Sequence, residues 1–351
     1  MRAKGFYMEK YKSFKLSGTT LMYLAVFVAG ITVLPILIFA MRNEASYLSS
    51  PPQRNANSQG QTSDVQSQVE KICFVRGPWI YVANLVNGTE QRLVEGVSPH
   101  LSPTGESVVF ISVNEHEGTM NKVFPPPGRL RVLDLRTNNI RDFKGLREYR
   151  VGDPIWSNDG TRIAVTISTN DGRVPTIAVL DSGTGELKKV ISGGGLPSDD
   201  TIYLDSWTPD DRSVLLHTLR SLYEVHLDDA RVQILAENDL FKLGEISSAT
   251  RFEFSLDRRY LLFDRIIDTA SEPQTEVISV FDFSTKTLLR VTPNGIRGRA
   301  PVWLPSNKEV LFTQVEWLKD RWQSNICKIA LDGTGFTTVV RDADSVSYAT
   351  K

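Results

Sequence analysis

The sequence predicts an all-β fold: a six-bladed β-propeller closed by pairing of C-terminal and N-terminal strands, preceded by one transmembrane helix. Three observations lead there. A stretch with a fixed order of residue types, seen at 153–167 as "DPIWSNDGTRIAVTI", returns in phase along the chain. Each return is followed by enough chain for three more short strands. The two ends of the repeating region are fragments that complete one another.

The N-terminal part comes first. Residues 16–41, "LSGTTLMYLAVFVAGITVLPILIFAM", carry no charge, and a helix of 26 residues outreaches a hydrocarbon layer of about 30 Å. Pro35 is tolerable inside a membrane helix and would break a short soluble one. A cleaved signal peptide is the competing reading, but the apolar run is long for one and no small-x-small site follows cleanly. A buried core helix is the other. Arg2, Lys4, Lys10, Lys12 and Lys15 precede the run, while only Arg42 follows closely, beside Glu44. Cationic flanks favour the cytoplasmic side. Residues 1–15 are therefore expected to be a cytoplasmic tail and 16–41 a single-pass anchor in the lipid bilayer of the cytoplasmic membrane. Residues 42–70 are expected to be a flexible extracytoplasmic linker, because 49–70 is rich in Gln, Asn and Ser with almost no apolar surface to bury.

From residue 71 the repeat takes over. Its aligned large apolar positions are Leu101, Trp156, Trp207, Phe254, Trp303 and Tyr348, spaced by roughly 45 to 55 residues. The first strand of each unit carries this residue, expected to pack between neighbouring sheets as blade core. The second is apolar and β-branched, as in "RIAVTI"; the third is of the "TIAVLD" type; the fourth is of the "LKKVI" type. Turns such as "NDGT", "PTGE", "SGTG" and "DGTG" supply the Asn, Asp and Gly that tight hairpins need. "SVSYAT" at the C-terminus is a first strand with nothing after it, and 71–95 holds a second, third and fourth strand with nothing before them. Together they make the sixth blade, spanning the termini of a propeller at 71–351 and removing exposed sheet edges.

The pattern P-x-W-S-x-D-G-x-x-apolar-A-apolar at 154–165 resembles the repeat of TolB-type propellers, the WD40-like (PD40) β-propeller repeat. Other copies match in part: Leu101 replaces the aromatic, Asp211 the glycine and Leu304 the serine. The resemblance covers the whole region from residue 71 on. It implies a periplasmic propeller of a cell-envelope complex; similar propellers also precede the catalytic domain of prolyl-oligopeptidase-like enzymes.

Net charge is −1 with both signs interspersed among 351 residues, so no nucleic-acid partner is expected. Four histidines and two cysteines without ligand spacing predict no metal and no cofactor. Cys73 and Cys327 are read as two buried thiols in preference to a disulfide, though both fall on strands that could meet across a blade interface. No G-x-S-x-G elbow or phosphate loop is present, so no catalytic residue is assigned and the protein is expected not to be an enzyme.

Recognition is expected on one face. First-to-second and third-to-fourth turns are uniformly short, whereas the second-to-third and fourth-to-first connections are elaborated. The "VEWLKDRWQS" connection at 315–324 offers Trp317, Lys319, Arg321 and Trp322 as protein-binding candidates, or as side chains folded back over the rim. "VFPPPG" at 123–128 adds Phe124 and Pro126. Arg147, Arg150, Arg297 and Arg299 form cationic groups of the rim or channel mouth, with a solvated rim as the plainer reading. The expected function is that of a membrane-anchored extracytoplasmic propeller, a protein-binding or accessory subunit whose partner is another membrane or extracytoplasmic protein. The alternatives are a small-ligand or glycan receptor and a hydrolase or lyase with a dispersed site at the channel mouth, the latter favoured if carboxylates and a histidine converge there.

Overall fold

The computed structural model describes residues 70–113, 128–146, 149–169, 176–191, 201–237, 245–268, 270, 274–319 and 321–349. The predicted tail, anchor and nearly all of the linker lie outside the described residues, and among those described no helix is long and apolar enough to cross a membrane.

The chain opens with β1 (Lys71–Arg76), β2 (Trp79–Asn84) and β3 (Glu90–Glu95). Blade 1 follows as β4 (Val97–Leu101), β5 (Ser107–Val113), β6 (Gly128–Asp134) and β7 (Ile140–Asp142), trailed by a single 3-10 turn at Lys144–Leu146. Blade 2 is β8 (Tyr149–Trp156), β9 (Arg162–Thr169), β10 (Thr176–Asp181) and β11 (Leu187–Ile191). Blade 3 is β12 (Tyr203–Trp207), β13 (Ser213–His217), β14 (Ser221–His226) and β15 (Val232–Glu237). Blade 4 is β16 (Phe252–Phe254), β17 (Tyr260–Asp268), β18 (Thr275–Asp282) and β19 (Thr287–Arg290). Blade 5 is β20 (Gly298–Trp303), β21 (Glu309–Leu318), β22 (Arg321–Ala330) and β23 (Thr337–Val340). The last strand, β24 (Asp344–Tyr348), pairs antiparallel with β1, giving a sixth sheet of order β24-β1-β2-β3. Closure across the termini is therefore observed, with Tyr348 opposite Ile72 and the Leu101 N–H donating to Ser347 Oγ at 3.0 Å.

The core is divided into six apolar clusters, one at each blade interface. All six aligned residues, Leu101, Trp156, Trp207, Phe254, Trp303 and Tyr348, are buried there. The three tryptophans do more than fill space. Trp156 Nε1 donates to the His100 carbonyl at 3.1 Å, Trp207 Nε1 to Ile155 at 3.2 Å and Trp303 Nε1 to Glu253 at 3.1 Å. Each indole thus buries its area against the preceding blade while its one donor ties down that blade's inner strand.

The polar part of the motif builds the short turn. Ser157 Oγ donates to Asp159 at 2.6 Å and accepts the Arg162 N–H at 3.0 Å, while Asp159 accepts the Thr161 N–H at 2.9 Å. Thr208–Asp210 and Ser255–Asp257 repeat this arrangement. The fourth residue of the turn has positive φ in every complete copy: Gly105 66°, Gly160 79°, Asp211 56°, Arg258 57° and Asn307 53°. Glycine adopts that conformation freely; the others strain to do so and compensate through their side chains. Asp211 accepts from the Asn158 N–H at 2.7 Å, Asn158 Nδ2 at 2.9 Å and the Asp159 N–H at 2.7 Å. Arg258 reaches Glu224 on blade 3 with both guanidinium nitrogens.

The cysteines are both free and buried. They also belong to different interfaces: Cys73 packs with Leu101 and Phe110, Cys327 with Trp303 and Phe312. The expected proximity across one interface is corrected, because neighbouring strands turn these side chains to opposite sides of their blades. Burial pushes the Cys73 thiol up to about 12 and the Cys327 thiol up to about 11.

Candidate functional site

The inner strands line a central channel with a cavity of about 180 Å³. In five blades the ladder between inner and second strand slips by a residue or more, at 97–100, 152–155, 204–206, 299–302 and 344–347. Ser98, Asp153, Ala300 and Ser345 hold positive φ at these bulges. Three of them precede proline, which sits where no ladder N–H is needed; this accounts for the proline of the motif. Counting three residues back from the aligned position lands on the channel wall, at Ser98, Asp153, Arg251, Ala300 and Ser345.

Charged groups converge on this wall. Arg251 crosses from blade 4 to blade 2, with Nη2 on Asp153 at 3.1 Å and Nη1 on the Leu204 carbonyl of blade 3 at 3.3 Å. Deeper, Asp205 and His217 form a fully buried pair at 2.9 Å and 3.0 Å. His217 Nε2 faces the Ser247 carbonyl at 3.1 Å, so that nitrogen carries a proton while Nδ1 faces a carboxylate. Burial alone would strip the ring of its charge, but the Asp205 carboxylate and the carbonyl hold its pKa above the ordinary value. Burial pushes the Glu253 carboxyl up to about 7; it accepts the Trp303 N–H at 3.3 Å. Asp264 is also raised to about 7 by burial and accepts N–H groups of Arg251 at 3.0 Å and Ala300 at 3.3 Å. Burial, with the Arg251 charge adding to it, drives His100 down to about 4, a neutral ring beside the Trp156 N–H.

Carboxylates and imidazoles thus do converge, the condition set for a dispersed active site. Their partners decide what they do: each is engaged by an adjacent blade's backbone or by a buried opposite charge. Among the described residues no group of three or more His, Cys, Asp and Glu could hold a metal ion. The network locks inner strands together. Sequence reasoning missed Arg251, Glu253, Asp264 and the Asp205–His217 pair because their partners come from different blades; the phase of the repeat was the one signal that reached Asp153 and Arg251.

The elaborated face is uneven. The β21–β22 ladder runs ten pairs, from Glu309↔Ala330 to Leu318↔Arg321. The β1–β2 ladder of the neighbouring closing blade stops after six, at Arg76↔Trp79. At about 3.3 Å per residue, blade 5 stands roughly 13 Å taller. The predicted loop at 315–324 is accordingly corrected: it is the end of a continuous hairpin, since alternation of Val, Glu, Trp and Leu favours strand to the tip. Lys319 turns the chain at φ 45°.

Trp317 and Trp322 are a cross-strand pair near that tip, 50% and 49% exposed, with ring centroids 4.9 Å apart and planes at 68°. Leu318 is 38% exposed and Arg321 is exposed. Ile326, four residues from Trp322 on the same strand, packs with Ile72 and Phe74 of the closing blade. Strand alternation therefore turns the tryptophans toward that blade, above its shorter hairpin.

Phe124, Pro126 and Arg147 lie outside the described residues. Arg150 is partly buried at the start of β8, with Nε buried and without a hydrogen-bond partner in the described structure. Arg299 pairs with Asp344, and the Arg297 carbonyl accepts the Val315 N–H at 3.2 Å. The structure thus brings Trp317, Lys319, Arg321 and Trp322 together and leaves Arg297 and Arg299 at the base of blade 5, apart from that tip.

No protein-family profile matches this chain, and no characterised protein matches it in sequence. Solved structures do. TolB from Acinetobacter baumannii aligns with TM-score 0.61 and 16% identity over 80% of this chain and 67% of that one. A TolB-designated protein from Agrobacterium tumefaciens aligns with TM-score 0.55 and 16% identity over 78% of this chain and 89% of its own. A chain of a nidogen/laminin complex gives TM-score 0.53 and 14% identity, over 80% and 98%. The chain is therefore a six-bladed propeller that resembles TolB in fold.

Proposed function

We propose that this protein is a non-catalytic, membrane-anchored extracytoplasmic propeller that binds another protein through the blade 5 hairpin. The observation that carries the reading is the half-exposed Trp317–Trp322 pair at the end of the tallest described hairpin. Exposed Trp and Arg are over-represented among residues that dominate protein contacts. The channel's acids and imidazoles are committed to holding blades together, which favours binding over catalysis. A chain of similar fold occurs in a nidogen/laminin complex, so such a propeller can serve protein assembly.

Residue 70 joins the propeller on the short-turn face: its carbonyl accepts the Leu85 N–H at 2.8 Å, and Lys71 Nζ reaches the Gly105 carbonyl at 3.2 Å. The hairpin lies on the other face, away from where the N-terminal segment joins. Trp317→Ala with Trp322→Ala should weaken capture of a native partner by at least about 2 kcal/mol while the melting transition stays in place. Unchanged capture by the folded double variant would remove the hairpin from the site and turn attention to Phe124, Pro126 and the arginines. For the anchor, the charge-free run at 16–41 and its cationic flank support an N-terminus inside the cell. Protease added to spheroplasts should remove the propeller and spare a tag placed before residue 16; a protected propeller would reverse the topology.

A further inference from the structure

The Trp317–Trp322 pair makes a corner, and a corner selects its ligand. Two rings inclined at 68° with centroids 4.9 Å apart leave a V between them where a parallel pair would leave a flat platform. Beneath lies the step down to the closing blade, whose Gly77 turns at φ 59° beside Pro78. Arg76 forms part of the floor, its guanidinium 4.9 Å over the Tyr81 ring and bonded to Glu90 and the Arg341 carbonyl. The groups the tip adds are donors only: two indole N–H groups, the Lys319 ammonium and the Arg321 guanidinium. On the opposite side of the ribbon Glu316 is held by Gln314 Nε2.

From this geometry we infer that the corner takes a proline-rich segment of the partner in the polyproline II conformation. This rests on the protein-binding role of the hairpin and names the chemistry of what it binds. A polyproline II helix has three residues per turn, a roughly triangular section that wedges between two inclined rings. Proline offers carbonyls and no N–H, so an acceptor-rich ligand meets a donor-only tip. A partner strand adding to the hairpin edge would need alternating donors and acceptors along that edge. Instead, the Ser324 carbonyl is already taken by the Ala343 N–H at 2.9 Å, which leaves about three residues of outer edge beyond it. A sugar ring favours a flat stacking surface, which the inclined pair does not present.

The test uses the full chain in detergent and a fluorescein-labelled twelve-residue polyproline peptide, followed by anisotropy. A Gly/Ser peptide of equal length and a labelled hexasaccharide are the comparison probes. Saturable binding of polyproline below about 1 mM is expected, with neither comparison probe bound. Trp317→Ala and Trp322→Ala should each weaken it at least tenfold at unchanged melting, and Trp322→Phe, which keeps a ring and loses the donor, should fall between. Absence of saturable polyproline binding overturns the inference, as does equal binding by both alanine variants or tryptophan-dependent binding of the hexasaccharide in its place. Loss of native-partner capture in the double alanine variant without any polyproline binding would sink this inference alone. Polyproline binding with unaffected capture would instead sink the docking role.

Discussion

On the short-turn face Asp211 is clasped by three donors of the neighbouring blade, and Arg258 straddles Glu224; on the opposite face Trp317 and Trp322 touch chiefly each other. Both regions are hairpin ends carrying large or charged side chains at strained backbone positions. They differ in what happens to those side chains. Where turns are short, residues of adjacent blades come close enough for a carboxylate to cap a neighbour's N–H groups. Where a hairpin outgrows its neighbour, nothing of equal height stands beside it, and its side chains remain available. Function is read from what the fold leaves unsatisfied.

The largest break in this comparison comes from the closing strand. Deleting 345–351 removes most of β24, the Ser347 acceptor and the Tyr348 packing, and exposes the edge of β1. Cooperative loss of the fold or aggregation is expected in near-ultraviolet circular dichroism; a truncated chain melting like the full one would refute closure. Next, Trp207→Ala leaves a cavity between blades 2 and 3 and orphans the Ile155 carbonyl. Destabilisation of about 3–5 kcal/mol is expected in urea titration, and a loss under 1 would mean the indole does not staple the interface.

A smaller effect follows from the channel carboxyls. Glu253 has a folded pKa of about 7 against an ordinary 4.5, so the folded state binds the proton more tightly. Its contribution is therefore full below about 4.5 and is lost as pH rises through about 7. Glu253→Gln should raise the melting temperature at pH 8, corresponding to about 2 kcal/mol, and change little at pH 4. A gain of equal size at both pH values would place the effect outside the carboxyl's titration. Smallest should be Trp317→Ala with Trp322→Ala, worth under about 1 kcal/mol because the pair lies half in water. A loss comparable to Trp207→Ala would show that the hairpin packs onto the rim, as the bound inner-face tryptophans do.

The repeat, the four strands per unit, the aromatic staples, the short turns and the split sixth blade were all legible in the chain. Each arises from a local pattern: alternation for strands, Asp, Asn and Gly for positive φ, and one large apolar residue per unit for the interface. The elaborated face was legible as a difference in connection length. The extent of β21 and β22 was not, because Lys319 and charged neighbours at 316–321 read locally as loop. Only pairing across the hairpin carries the strand to its tip.

What the sequence determined by itself was therefore periodic and local. Tertiary structure decided which periodic positions face the same volume: Arg251 with Asp153 across two blades, His217 with Asp205 and Ser247, and Cys73 and Cys327 on separate interfaces. It also decided relative height, which makes two tryptophans a wall above the closing blade. The physical reason is that burial, pKa and exposure depend on neighbours brought in by closure of the ring, and closure sums small rotations from every blade, a quantity no single segment encodes.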